Sequence, residues 1–295
     1  MTASRRMPDF IIIGAMKSAT STLHNQLSAQ SGVFMSTPKE PNFFSDDEIY
    51  SQGIGWYSGL FSDSDVEDIC GESSTHYTKL PDYPNTIQRL KAAIPQPKLI
   101  YVMRHPVDRL ISHYMHQWSE GVISCDINQA IDRYPELINY SCYGVQITPY
   151  LEEFGHKAVL PFFFDDLKNN KDKALNKVGE FIGCTKPLVW IDDFALNNVS
   201  TQRIRRFYGY ELLVNSKPMA WLRKNLIPQT VRDRVKKQLT MQQRPEISDV
   251  QRKRITEIFD RDLKIVGNWL GFGLTCDSFK RTSEKIDLNH VESES

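Results

Sequence analysis

No stretch of this 295-residue chain is apolar for long enough to cross a bilayer. The leading apolar run, Phe10 to Ile13, is four residues, against the roughly 20 that a spanning helix requires. That run is also too short for the core of a secretory signal, so the sequence predicts a soluble chain with no integral membrane span. Cysteine is sparse: Cys70, Cys125, Cys142, Cys184 and Cys276 are odd in number and scattered, with no C-x-x-C or Cys/His spacing. This excludes a disulfide framework and a zinc site and fits a reducing, cytoplasmic compartment. Net charge is also missing, with 36 Lys+Arg against 36 Asp+Glu, so nothing in the overall balance points to a nucleic-acid partner. There is no internal repeat, low-complexity tract or interdomain linker. The expectation is one domain over residues 1–276, followed by a flexible tail at 277–295 rich in polar residues.

The balanced charge is unevenly placed. Ser36 to Glu72 holds nine acidic residues against Lys39 alone, and Arg203 to Arg254 holds fourteen basic residues against four acidic ones, so the C-terminal third is suited to face an anion. Three strand–helix units stand out. PDFIIIGAMKSAT predicts a strand over Phe10–Ile13, a turn at Gly14 and a helix from about Thr20 to Ala29. KLIYVMRHPVDRLISHYMHQW predicts a strand over Leu99–Met103 and a helix with Pro106 in its first turn. KAVLPFFFDDLKNNKDKALNKVGEFIG predicts a strand to about Phe164 and a helix whose Leu175, Val178, Phe181 and Ile182 share one face, stopped by Gly183. A last helix spans about Ser248 to Leu270, ending at Gly271. Strands that alternate with amphipathic helices predict an α/β fold, a central parallel β-sheet flanked by helices, with ligands at the carboxyl ends of the strands.

The first turn has chemistry of its own. From Gly14 to Thr22 it offers one lysine, Lys17, and four hydroxyls, Ser18, Thr20, Ser21 and Thr22, where the N–H groups of a helix start converge, an arrangement that binds phosphate. It lacks the glycine that precedes lysine in the G-x-x-x-x-G-K-S/T loop of nucleotide triphosphatases. An ATP-dependent phosphotransferase is therefore the alternative, and it needs a magnesium ligand such as Asp165 or Asp166, which serve equally as helix caps.

The string K-S-A-T-S-T after an apolar strand resembles the 5′-phosphosulfate loop, K-x-G-T-T, of the sulfotransferases that use 3′-phosphoadenosine 5′-phosphosulfate (PAPS), with Ala19 where that family has glycine. RHPVDRLISHY resembles the family's R-D/N-P-x-E/D-R-x-x-S-x-Y string. The segments from Lys39 to Phe44, from Gly53 to Tyr57 and from Gly71 to Tyr77 are similar to the heparan-sulfate and glycan-type branch in order and spacing. The likeness covers roughly Pro8 to Cys276 and implies a P-loop-like sulfotransferase fold, with PAPS as co-substrate and no obligatory metal. The acceptor it implies is a hydroxyl or amine on a glycan or other small molecule.

Residue by residue, the resemblance implies that Lys17, Ser18, Ala19, Thr20, Ser21 and Thr22 hold the phosphosulfate, with Lys17 stabilising charge on the moving group. Arg104 and Ser112, eight positions apart, hold the 3′-phosphate, where a guanidinium fork at a strand end and a hydroxyl about two helical turns on suit phosphate. Arg203 and Arg205 in STQRIRRFYG stand where a closing basic loop is expected. Glu40 is implied as the general base, with burial beside Phe43 and Phe44 expected to raise its pKa, and His76 competes for that role. Lys39, Phe44 and Glu72 are the expected acceptor contacts. Ser73 replaces an expected lysine, for which Lys39 is a substitute. If position 19 needs a positive φ, alanine there costs stability. A non-catalytic module that holds the nucleotide or an anionic surface, using the basic segment Trp221 to Lys237, is the third reading.

Overall fold

The computed structural model describes residues 6–192, 241 and 243–282. In chain order its elements are β1 (Phe10–Gly14), α1 (Thr20–Ser28), β2 (Val33–Met35), α2 (Asp47–Tyr50), α3 (Gly53–Gly59) and β3 (Ile69–Ser73). A 3-10 turn (Thr75–Thr78) leads to α4 (Thr86–Ala93), β4 (Lys98–Met103), α5 (Pro106–Ser119), α6 (Ile127–Arg133), α7 (Glu136–Asn139) and α8 (Tyr143–Phe154). Then come β5 (Val159–Phe163), α9 (Phe164–Asn169), α10 (Lys171–Ile182), α11 (Asp249–Leu270) and α12 (Cys276–Thr282). The five strands form one sheet in the order β2-β3-β1-β4-β5, and every pairing is parallel.

The unbroken apolar runs of β1 and β4 follow from burial on both faces, because successive side chains of a strand point to opposite sides. Ile11, Ile13, Leu99, Tyr101 and Met103 feed one core, completed by Leu110 of α5, Tyr143 and Ile147 of α8, and Phe259 and Leu263 of α11. Phe10, Ile12, Ile100 and Val102 feed the other, against Leu23 and Leu27 of α1 and Leu175 and Val178 of α10. The expected sheet and its three strand–helix units are present. Pro106 opens α5 at its first position, Gly183 ends α10 at φ 99°, and Gly271 ends α11 at φ 77° after Ser248 has capped its start by accepting the Gln251 N–H. Each stop uses the left-handed backbone that glycine adopts without a Cβ clash.

The predicted flexible tail starts too early. Cys276–Thr282 is helical, and Phe279 is fully buried, its ring 5.2 Å from that of Phe163, a burial that stabilises by about 1.5–3 kcal/mol. A second long-range tie comes from Asp262 of α11. Its carboxylate accepts the backbone N–H groups of Gly144 and Val145, at 2.8 and 2.9 Å, and so caps α8 from another helix. Among the described residues no helix is long and apolar enough to cross a membrane.

The strand order sets the place of any ligand. The chain leaves β1 toward β2 and leaves β4 toward β5, so a crevice opens between the carboxyl ends of β1 and β4, the position where open α/β sheets bind their ligands.

Candidate active site

Four adjacent strands deliver their following segments to that edge. β1 runs into the loop bearing Lys17, β4 into Arg104, β2 into the loop bearing Lys39 and Glu40, and β3 into the turn bearing His76. Gly14 makes the first exit possible. A Cβ there would lie 2.0 Å from Thr78 Oγ1, the hydroxyl that donates to the Ile13 carbonyl at 2.7 Å. The loop beyond it holds Lys17 at φ 70° and Ala19 at φ 66°. Position 19 thus does need the left-handed conformation, and alanine bears a cost of about 1–2 kcal/mol that glycine would not. Ala19 is also the residue flanking the start of α1, and no side chain caps that terminus, so the first-turn N–H groups of Thr20, Ser21 and Thr22 keep their capacity to bind an anion. Ser18 is fully buried, with its Oγ near the Tyr143 hydroxyl but short of a full hydrogen bond.

Arg104 closes the crevice from the β4 side. Its Nη1 donates to the Lys17 carbonyl at 3.3 Å, and its guanidinium lies 4.8 Å from the centre of the Phe164 ring. The Tyr143 hydroxyl holds the backbone there from both sides, donating to the Arg104 carbonyl at 2.5 Å and accepting the Arg104 N–H at 3.2 Å. Ser112 is buried on α5. Arg203 and Arg205 lie outside the described residues. Asp165 and Asp166 occupy the first turn of α9, where burial pushes the Asp166 carboxyl up to about 7.

The second loop is built against the first. The Asn42 N–H donates to Ser74 Oγ at 3.0 Å and the Phe44 N–H to the Tyr77 hydroxyl at 3.3 Å. Glu40 and Asn42 hold φ values of 58° and 53°. Among the described residues, Lys17, Ala19, Glu40 and Asn42 are the non-glycine residues with positive φ, so backbone strain is concentrated in the two loops that meet at this edge. Glu40 accepts from Lys39 Nζ at 2.8 Å and from Thr75 Oγ1 at 3.4 Å. Burial would raise its pKa, as expected from the sequence, but Lys39, Lys79 and His76 outweigh burial and hold the carboxylate below its usual range. His76 lies beside it, stacked on Tyr83 at 4.8 Å, and burial lowers its pKa to about 4. Both candidate bases are therefore unprotonated at neutral pH.

Two expected acceptor contacts are corrected by burial. Phe44 has no exposed surface and packs edge-on against Phe43 and Tyr57, in the aromatic core under the loop. Glu72 is likewise fully buried on β3, opposite Ile11, so neither has surface to offer an acceptor. Burial pushes the Glu72 carboxyl up to about 8, and the hydroxyls of Tyr77, Tyr57 and Ser74 offset this only in part. A carboxyl whose folded pKa lies above its unfolded value contributes stability that is present at low pH and lost as pH rises through the folded value. Glu72→Gln is accordingly expected to leave the melting temperature unchanged near pH 4, below the unfolded value. Near pH 9 it should raise it by about 3 °C or more, the shift that roughly 1 kcal/mol produces in a domain of this size. Equal melting curves for the two proteins at both pH values would show that Glu72 ionises without cost.

Sequence reasoning missed four side chains here. Lys79 caps the end of the Thr75–Thr78 turn and is only 8% exposed. Arg109 is fully buried on α5, donating to Ser141 Oγ at 2.6 Å and the Leu137 carbonyl at 3.0 Å. His113, one turn on, and Tyr143 complete the set. Arg109 and His113 did carry a signal, polar residues one turn apart on the inner face of an amphipathic helix, whereas Lys79 and Tyr143 carried none. Ser73, in place of a lysine, bonds His24 Nδ1 through its hydroxyl at 2.9 Å.

Comparison with known proteins places this geometry. A sequence model of the family described as "Sulfotransferase domain" matches residues 7–267. The bifunctional heparan sulfate N-deacetylase/N-sulfotransferase 2 of Homo sapiens is 30% identical over 213 residues, which cover 61% of this chain and 22% of that protein. The heparan sulfate glucosamine 3-O-sulfotransferase 5 of Mus musculus is 33% identical over 110 residues, 37% of this chain and 31% of that one. This chain spans about a fifth of the length of the N-deacetylase/N-sulfotransferases that it matches. In fold it resembles a sulfotransferase from Alicyclobacillus acidocaldarius, with a TM-score of 0.64 at 21% identity over 91% of this chain and 98% of that one.

Proposed function

The chain belongs to the sulfotransferase domain family, and on that premise we propose that it transfers a sulfuryl group from PAPS to a hydroxyl or amine of a glycan or other small acceptor. The observation that carries the reading is the tether of Arg104 to the Lys17 carbonyl across the mouth between β1 and β4, which holds a cationic strand end against an uncapped helix start. PAPS fits this donor set, because a 5′-phosphosulfate needs N–H donors and a cation, and a 3′-phosphate needs a guanidinium and a hydroxyl. Bound there, PAPS would supply the activated sulfuryl group.

The chain's own residues then divide the work. Lys17 and the start of α1 take the phosphosulfate, with the hydroxyls of Ser18, Thr20, Ser21 and Thr22 in support. Arg104 and Ser112 take the 3′-phosphate, joined by Arg203 and Arg205. Glu40, ionised at neutral pH, accepts the acceptor's proton, and Lys39 orients it. Cations of the protein meet the charge of the nucleotide, so the reaction needs no metal. The names of the relatives, one an N-sulfotransferase and one a glucosamine 3-O-sulfotransferase, make a glucosamine-containing oligosaccharide the acceptor to try first. Cysteines that all stand as free thiols support a reducing, cytoplasmic setting.

Calorimetric titration with 3′-phosphoadenosine 5′-phosphate (PAP), beside ATP with magnesium, tests the reading. PAP is expected to bind and ATP to bind more weakly, and Arg104→Ala should weaken PAP about ten- to a hundredfold, the worth of one charge-assisted hydrogen-bonded contact. Clear ATP binding without PAP binding would overturn the proposal in favour of phosphoryl transfer.

A further inference from the structure

Asp108 sets a carboxylate on the face of α5 assigned to the 3′-phosphate. It stands in the first turn of that helix, four residues after Arg104 and four before Ser112, so it shares a helix face with Ser112. An anion at this place opposes a phosphate. The fold answers it with two cations brought from far along the chain: Arg244 Nη2 lies 2.5 Å from one carboxylate oxygen and Lys280 Nζ 3.0 Å from the other. Burial would raise the pKa of Asp108, but Lys280, His105 and Arg244 outweigh it and keep the carboxylate below its usual range. Lys280 is carried there by more than its ion pair. α12 packs on the exits of β4 and β5, where His105 Nε2 donates to the Cys276 carbonyl at 3.0 Å and the Phe279 ring lies 5.9 Å from that of His105 and 5.2 Å from that of Phe163. The side chains of Arg244 and Lys280 are 55% and 61% exposed, and ion pairs this exposed add little to stability. Their consequence falls on the local field that an incoming anion meets.

We propose that Asp108 is a masked carboxylate that makes binding of the 3′-phosphate conditional on the docked C-terminal segment: Arg244 and Lys280 neutralise it, and without them it repels the phosphate. The inference rests on the PAPS reading above. It gives the two cations a task other than touching the nucleotide, so removing Asp108 as well should make them dispensable.

Titration with PAP and with adenosine 5′-phosphate, which lacks the 3′-phosphate, reads this directly. In the chain carrying both Arg244→Met and Lys280→Met, PAP affinity is expected to fall about tenfold while adenosine 5′-phosphate stays within about twofold. Adding Asp108→Asn to that pair should return PAP to within about twofold of the wild type, and this recovery also certifies the fold. Asp108→Asn alone should bind PAP no more weakly than the wild type. Unchanged PAP affinity without the two cations, a loss that Asp108→Asn does not relieve, an equal loss of both nucleotides, or an equally deep loss in Asp108→Asn alone overturns the assignment. A wild-type chain that binds no PAP, or binds it no better than adenosine 5′-phosphate, is a different result, which removes the PAPS reading itself and this inference with it.

Discussion

Lys17→Ala is expected to slow sulfuryl transfer by about 10²–10³-fold, the usual loss when one preorganised charge-stabilising group is removed, while the melting temperature and PAP affinity change little. The separation follows from geometry. Lys17 sits at φ 70°, where alanine and lysine share the same Cβ strain. The tether to Arg104 uses the Lys17 carbonyl rather than its side chain, so the loop keeps its anchor when the ammonium goes. The loss should therefore fall on kcat, because charge on the bridging and sulfuryl oxygens is largest in the transition state. Single-turnover transfer from PAPS to a glucosamine-containing oligosaccharide, with transfer to water as a second acceptor, measures it. Turnover near the wild-type rate in both assays would remove Lys17 from the mechanism.

Glu40→Gln should cost about 10²–10⁴-fold, the range for a positioned general base, and His76→Ala about tenfold or less. The structure brings the two groups together, each feeling the charge of the other, so position alone does not separate them. Their bonding does. Glu40 is oriented by Lys39 and by Thr75, in a backbone conformation that the chain maintains against strain. His76 is held by stacking on Tyr83, but its buried Nδ1 has no hydrogen-bond partner among the described residues, so no hydrogen bond there fixes its tautomer for proton transfer. The same kinetics on the two variants decides the matter: full activity in Glu40→Gln with a deep loss in His76→Ala would make the histidine the base. Glutamine keeps the shape and one accepting oxygen, while removing the charge that pairs with Lys39 and the capacity to accept a proton.

Much of this was legible in the chain because its signals are local. The helix stops at Gly183 and Gly271, the cap at Ser248, the entry of α5 at Pro106 and the buried runs of β1 and β4 each depend on residues within a turn or a strand of one another. At Ala19 the expectation of glycine came from the resemblance to the family's K-x-G-T-T string, and the φ of 66° supplies its reason. What misled was burial. Phe44 and Glu72 lie in the same strings as Glu40 and His76, and sequence order does not say which side of a loop faces inward. The basis for raising the pKa of Glu40 was partly sound, since burial does act in that direction, but a cation forty residues along, Lys79, adds to Lys39 and reverses the sign.

By itself, then, the sequence determined the fold class and the strand–helix units, which follow from periodicity and from caps, and its strings carried the resemblance to the family to which the chain belongs. Tertiary structure alone decided which charges meet. It set Arg104 against the Lys17 carbonyl, hung Arg104 on the Tyr143 hydroxyl, buried Glu72 among tyrosines and left Lys79 without an ion-pair partner among the described residues beside the base. It also capped α8 with Asp262, 118 residues away in the chain. The physical reason is range: backbone preference is settled by near neighbours, whereas burial and the electrostatic field at a side chain sum over everything that folding brings within a few ångströms of it.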